Sequence, residues 1–202
     1  MPLDDQVLRA MARWPDVPAV FGWLRLDRRG RWMLVDRGAP GFDEERDAGG
    51  SAIGSRPIVD FIGRNYLADP AGRWHWQNGP QRVFVDLDLA PLLLRVLGDA
   101  PSQALVTHTG YPVARVERAA LDADGNLWLV TDLGPGCIDD RDLAALDLAL
   151  ADAPGPDGVA GLLHLLGEHP VRALASRPSG HSASCGGRAS YKRSPPALPG
   201  RP

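Results

Sequence analysis

Residues 72–87 read GRWHWQNGPQRVFVDL, and the fold turns on how the two halves of this stretch pair. Trp74 and Trp76 alternate with His75 and Gln77, and Val83, Val85 and Leu87 alternate with Phe84 and Asp86. That two-residue period marks strands with one buried face. A hairpin looped by Asn78 and Gly79 alone needs the backbone N–H of residue 80 to close, and Pro80 has none. Both tryptophans stay on the face of Val83, Val85 and Leu87 only if the loop holds an even number of residues, because a one-residue slip turns every side chain over. A four-residue loop, Asn78 to Gln81, meets both demands. It sets Gln77 opposite Arg82, Trp76 opposite Val83, His75 opposite Phe84 and Trp74 opposite Val85. With aliphatic partners, the tryptophans face the core rather than forming a stacking platform for a ligand. The other face presents His75, Gln77, Arg82, Asp86 and Asp88, interrupted by Phe84.

Upstream, GWLRLDRRGRWMLV at 22–35 carries a second hairpin signal. A three-residue loop with Gly30 in the left-handed region pairs Asp27 with Arg31, Leu26 with Trp32 and Leu24 with Leu34, placing the apolar set on one face. The same punctuation recurs in ADPAGRWHW at 68 and LDADGNLWL at 121. The intervals are too irregular for a solenoid, and shared turn chemistry accounts for them. The last copy also lacks the spaced ligands and late glutamate of a calcium loop. Before these, Val7, Leu8, Met11 and Trp14 make one face of a short helix stopped by Pro15, and Ile58, Phe61 and Ile62 make another behind Pro57. Residues 37–55 are charged, Gly-rich and aperiodic, and are expected as a mobile insertion loop.

Downstream, strands are expected at QALVTHT, PVARVERAAL and NLWLVTD. Gly136 then ends the strand region, Asp139 or Asp140 caps a helix with Leu143, Leu146 and Leu150 in its stripe, and GVAGLLHLLGEH supplies a second. The expected fold is α+β: an antiparallel, hairpin-rich sheet, twisted or partly closed, with a short N-terminal helix and C-terminal helices. Residues 1–175 form one domain. The Ser/Pro/Gly/Arg-rich residues 176–202 cannot bury enough surface to order themselves, and are expected as a disordered tail: a neutral extension, the product of a shifted reading frame, or a basic segment for nucleic acid or an acidic partner.

All 25 acidic residues lie at or before Glu168, whereas Arg177, Arg188, Lys192, Arg193 and Arg201 crowd the end. An acidic body argues against a nucleic-acid-coating surface. Two cysteines, Cys137 and Cys185, make neither a disulfide framework nor a metal pair. The acidic start and the shortness of LAPLLLRVL, the longest apolar run, point to a cytoplasmic chain outside the membrane.

The segments GWLRLDRRGRWML, FIGRNY, GRWHWQNGPQRVFVDL, THTGYPV and GPGCIDDRDL together resemble a family of uncharacterised proteobacterial proteins of unknown function, over roughly residues 10 to 150. The resemblance implies a bacterial source and brings no activity, cofactor or catalytic residue.

No phosphate loop, GxSxG elbow or HExxH motif is present. His164 and His169 are five apart, a spacing that does not bring two imidazoles onto one metal. Asp139, Asp140 and Asp142 have hard-cation oxygens, but acids at a helix start also complement its dipole. No cofactor and no metal are expected. Two groups remain. His108, between two threonines and before a glycine turn, is a candidate acid or base, with Asp139 or Asp140 as its carboxylate. Arg64, Asn65, Gln77, Asn78, Gln81 and Arg82 gather amides and guanidiniums that suit a carboxylate or phosphate, or else pin a loop to a helix. The sequence reads as a non-enzymatic module binding a protein or small anionic ligand through the second group. The alternative is a small hydrolase-like enzyme using His108.

Overall fold

One turn, used three times, sets the hairpins. In the computed structural model, which describes residues 3–98, 104–122, 124–143 and 171–173, the Asp27 carboxylate accepts the backbone N–H groups of Arg29 and Arg31 at 2.9 and 2.8 Å, while Arg31 Nε donates to its second oxygen at 2.7 Å. Asp69 repeats the pattern with Ala71 and Arg73. Asp122 repeats it with Asp124 and Asn126. Each loop then needs one residue at positive φ, where a Cβ is disfavoured, and Gly30, Gly72 and Gly125 supply it at 74°, 76° and 79°. The anticipated register holds: Leu26 pairs with Trp32 and Leu24 with Leu34.

The chain runs α1 (Asp5–Arg13), β1 (Val20–Leu26), β2 (Trp32–Leu34), α2 (Glu44–Asp47), β3 (Ser51–Ala52), α3 (Arg56–Arg64), β4 (Tyr66–Ala68), β5 (Trp74–Asn78), β6 (Gln81–Leu87), β7 (Leu92–Leu97), β8 (Ala104–Thr107), β9 (Val116–Leu121), β10 (Leu127–Thr131), β11 (Gly134–Ile138), a 3-10 turn (Asp140–Asp142) and β12 (Val171–Ala173). The strands form two six-stranded sheets, ordered β3-β2-β1-β6-β5-β4 and β12-β9-β10-β11-β7-β8. Neither is a closed barrel, and neither is purely antiparallel. β1 runs parallel to β6, β11 to β7 and β12 to β9. The hairpins are antiparallel because short turns make them so, whereas strands joined through distant chain are free of that constraint.

The loop of the β5–β6 hairpin is shorter than the sequence suggests, with the register unchanged. His75 faces Phe84, Trp76 faces Val83 and Gln77 faces Arg82, but Asn78 also pairs with Gln81, so the loop is Gly79–Pro80. Moving the turn one residue onward puts Gly79 at its first central position, at φ 56°, as a type II′ turn requires. Pro80 then sits where its missing N–H is not needed.

The two sheets share one core. Leu24, Leu26, Trp32, Tyr66, Trp74 and Val83 of the first pack in a single cluster with Leu92, Leu94, Leu127, Leu129 and Ile138 of the second. Trp74 is buried and Trp76 packs against the same cluster. The first hairpin turn also grips the second sheet: Arg28 donates to Asn126 at 2.9 Å, and Arg29 binds Asp139 at 3.3 Å and Asp140.

Other expectations change. Gly134–Ile138 is strand β11, although Gly136 was expected to end the strand region; Gly136 lies so close to β7 that a Cβ there would sit 3.0 Å from the Leu92 carbonyl oxygen. Leu34 shares a face with buried Leu24 yet is 48% exposed, because only two-residue β3 lies beyond it. Within 37–55, expected as a loop without structure of its own, lie α2 and β3, and Ile53 N–H donates to the Trp32 carbonyl at 2.8 Å. Asp139 caps the 3-10 turn by accepting Arg141 N–H, while the C-terminal helices and the tail expected beyond it fall outside the described residues. Among the described residues no helix is long and apolar enough to cross a membrane.

Candidate functional site

The polar group of RNY and QNGPQR is brought together, with Asn65 and Gln77 turned inward and Arg64, Asn78 and Arg82 exposed. Asn65 ends α3 fully buried. Its side-chain oxygen Oδ1 accepts the Asp4 backbone N–H at 2.9 Å, and its side-chain amide donates to the Asp4 carboxylate at 3.2 Å and the Phe61 carbonyl at 3.0 Å. Arg64 pairs with the same carboxylate at 3.3 Å. Gln77, also buried, donates its side-chain amide to Gly79 O at 2.9 Å, and its backbone N–H to Asn65 O at 2.8 Å. Gln81 reaches Pro18 O at 3.2 Å. These side chains fasten the start of α1, the end of α3 and the β5–β6 loop to one another. Asn78 and Arg82 stay exposed.

Asn65→Ala strips three hydrogen bonds from a buried site, and is expected to cost about 2 kcal/mol, read as a lower urea midpoint with faster amide exchange along α1. Unchanged exchange in α1 would mean that Asn65 does not hold that helix.

Among the described residues no hydrogen bond or ion pair joins His108 to Asp139 or Asp140. The His108 Nδ1 accepts the Leu93 backbone N–H at 3.2 Å, and its Nε2 is shut away from solvent. Burial pushes the imidazole down to about 4. Asp139 is buried and claimed by Arg141 at 2.8 Å and by Arg29; hydrogen bonding to Arg141 holds its carboxyl far below the usual range. Asp140 pairs with Arg29, and Asp142 with Arg95 at 2.6 Å. Among the described residues neither ring nitrogen of His108 has a carboxylate partner. Cys137, fully buried, has its thiol pushed up to about 12 by burial, so it carries no thiolate at neutral pH. Among the described residues no cluster of His, Cys, Asp or Glu could hold a metal. His164 and His169 lie outside them.

The face of the first sheet opposite the core holds what the sequence reading missed. Phe84, taken there as an interruption, is buried and carries Phe21 stacked at 4.5 Å with 3° between the planes; the Arg73 guanidinium lies 4.7 Å from its ring centre, and His75 packs at 5.5 Å. His75 and Gln77, expected on this face opposite the core, are buried beside this cluster. Burial lowers the His75 pKa, and the Arg82 charge adds to the effect.

Phe21 reaches Phe84 through an irregularity in β1. Val20 pairs with Val83 and Leu24 with Val85, so Phe21, Gly22 and Trp23 stand against Phe84 alone. Arg37 pins the irregularity by donating to Gly22 O at 2.7 Å. Gly22 supplies the positive φ this needs, and nothing local in VFGWL announces it. Phe21 remains 60% exposed. Around this face Arg25 holds Asp88, Arg37 holds Glu44 and Arg73 holds Asp69 at 2.8 Å. Arg82, level with Gln77 and on the side of Phe84, makes no ion pair among the described residues.

A family model described as "Protein of unknown function (DUF2946)" matches residues 3–178. No curated protein matches the chain. Among solved structures, it is similar to a DUF1285 family protein from Silicibacter pomeroyi DSS-3, at 20% identity and TM-score 0.44, over 66% of this chain and 73% of that one. It is also similar to a DUF1285 family protein from Shewanella baltica OS155, at 14% identity and TM-score 0.42, over 60% of this chain and 87% of the other.

Proposed function

Since the chain belongs to this family of proteins of unknown function, we propose from its own surface that it is a non-enzymatic binding module, and that it takes a carboxylate or phosphate group at Arg82 beside the Phe21–Phe84 stack. The observation that carries the reading is the state of Arg82: an exposed guanidinium without an ion pair among the described residues, on a face whose neighbouring arginines already hold carboxylates. A guanidinium offers a planar fork of donors to an oxyanion, and the open ring of Phe21 offers apolar area to whatever bears it.

The test is an NMR titration of 15N-labelled protein with inorganic phosphate and, separately, with benzoate. The reading expects the Arg82 Nε–H signal to move with at least one anion, the Phe21 ring signals to move with benzoate, and the Phe21 response to vanish in Arg82→Ala. Phosphate alone acting would place the anion first, and benzoate alone would require the ring as well. Saturating amounts of both anions without effect at Arg82 would overturn the assignment. Pull-downs with the same variant then ask whether the anion belongs to a protein: a protein recovered by the wild type and lost with Arg82→Ala carries it.

A further inference from the structure

The second inference lies inside the molecule and is independent of Arg82. Three polar side-chain atoms on the core side find no hydrogen-bond partner among the described residues: Tyr66 Oη, Trp76 Nε1 and His108 Nε2. A fourth, His75 Nδ1, belongs to the opposite face of β5. Tyr66 and Trp76 are cross-strand partners, so their side chains leave the sheet side by side. The Tyr66 ring, fully buried, packs 4.9 Å from Trp32, 4.9 Å from Trp74 and 6.0 Å from His108. It therefore stands where the first sheet meets the turn after β8. Gly30 fixes the same junction, since a Cβ there would come within 2.7 Å of His108 Cβ.

The chemistry of the three atoms is uniform. Because Nδ1 of His108 accepts the Leu93 N–H, its proton sits on Nε2, which makes that atom a donor. The Trp76 indole can only donate. Burial raises the Tyr66 phenol well above its ordinary value, so it keeps its hydroxyl proton. Native cores rarely leave such donors unpaired, and Tyr66 and His108, whose rings pack 6.0 Å apart, make a matched pair of demands for oxygen. The acceptor must also be neutral. The ring contacts of Tyr66 are with Trp32, Trp74 and His108, none of which offers a countercharge, and an isolated anion there would lose its hydration without compensation.

We infer that the seam between the two sheets binds an uncharged oxygen acceptor of water size, held between His108 Nε2–H and Tyr66 Oη. Water is the species with this chemistry: it has two lone pairs for donors, and it can return a proton to the phenol oxygen. It makes the sheet junction polar at one point, and so fixes how the two sheets meet.

Tyr66→Phe tests this, because it removes one oxygen and keeps the ring. A bound acceptor predicts a folding equilibrium constant lower by about tenfold in urea denaturation. It also predicts magnetisation transfer from bulk-exchanging water to His108 Nε2–H in the labelled wild type. A Tyr66→Phe chain as stable as the wild type, or more stable, would mean the hydroxyl is unpaired and its loss a relief. That result overturns the inference, as does an Nε2–H without transfer from water.

Discussion

Trp74→Ala lowers the unfolding free energy by about 3–5 kcal/mol, the range for emptying a buried tryptophan site, and does so as a single cooperative loss in both sheets. The indole leaves β5 in the first sheet, packs on Tyr66, and reaches the start of β11 in the second, where a Cβ on Gly134 would lie 3.0 Å from its Cζ2. Removing it opens a void between the sheets, lined by stiff strands that cannot collapse inward. Urea denaturation followed by circular dichroism and by amide exchange in β10 and β11 measures the effect. Trp74→Phe should restore part of the loss. A cost below about 1 kcal/mol, as for an ordinary surface substitution, would mean that the ring does not join the sheets.

The second large effect is in pH. His108 titrates near 4 in the folded protein against 6.5 as its ordinary value, because burial disfavours the imidazolium. The unfolded chain therefore binds the extra proton first. Stability from this group is complete above about pH 6.5, falls as the pH drops toward 4, and loses about 3 kcal/mol over that window. His75, lowered for the same reason, adds to the fall. Asp27, Asp69, Asp122, Asp139 and Asp142 are lowered carboxylates, whose contributions persist above their ordinary value of 3.8 and disappear only below it. The two regimes separate on a pH series of urea midpoints. His108→Asn retains an acceptor for the Leu93 N–H and removes the titration, so its stability should decline much less between pH 6.5 and 4. Parallel curves for variant and wild type would place the proton elsewhere.

The hairpins were legible in the sequence because their causes are local. An aspartate that accepts two backbone N–H groups, a glycine three residues on, and a two-residue alternation fix the register of β1–β2, and alternation alone carried that of β5–β6. The exact loop of the latter was not legible, since two even loop lengths give one register and differ only in whether Asn78 pairs with Gln81. Parallel contacts such as Arg25 with Asp86 join distant parts of the chain and leave no mark in either partner's spacing. β11 hid behind its glycine, which marked a close approach to β7 and resembled a turn. At the candidate site, the residues of RNY and QNGPQR were identifiable as a group. The inward orientation of Asn65 was not, because it depends on Asp4, about sixty positions earlier. Phe21 was missed for the same reason: its partner lies across a parallel join.

The three aspartate turns also distribute tolerance to substitution unequally. Each frame prescribes an aspartate and a glycine, and leaves the two residues between them free in side-chain identity. In the second turn those residues, Pro70 and Ala71, are exposed, so the position is a natural place for a foreign loop or a label. In the first they are Arg28 and Arg29, which reach Asn126, Asp139 and Asp140 on the other sheet. Exchanging the two turns would preserve both hairpins and unfasten the sheets, so motifs that look alike as sequence are not interchangeable parts.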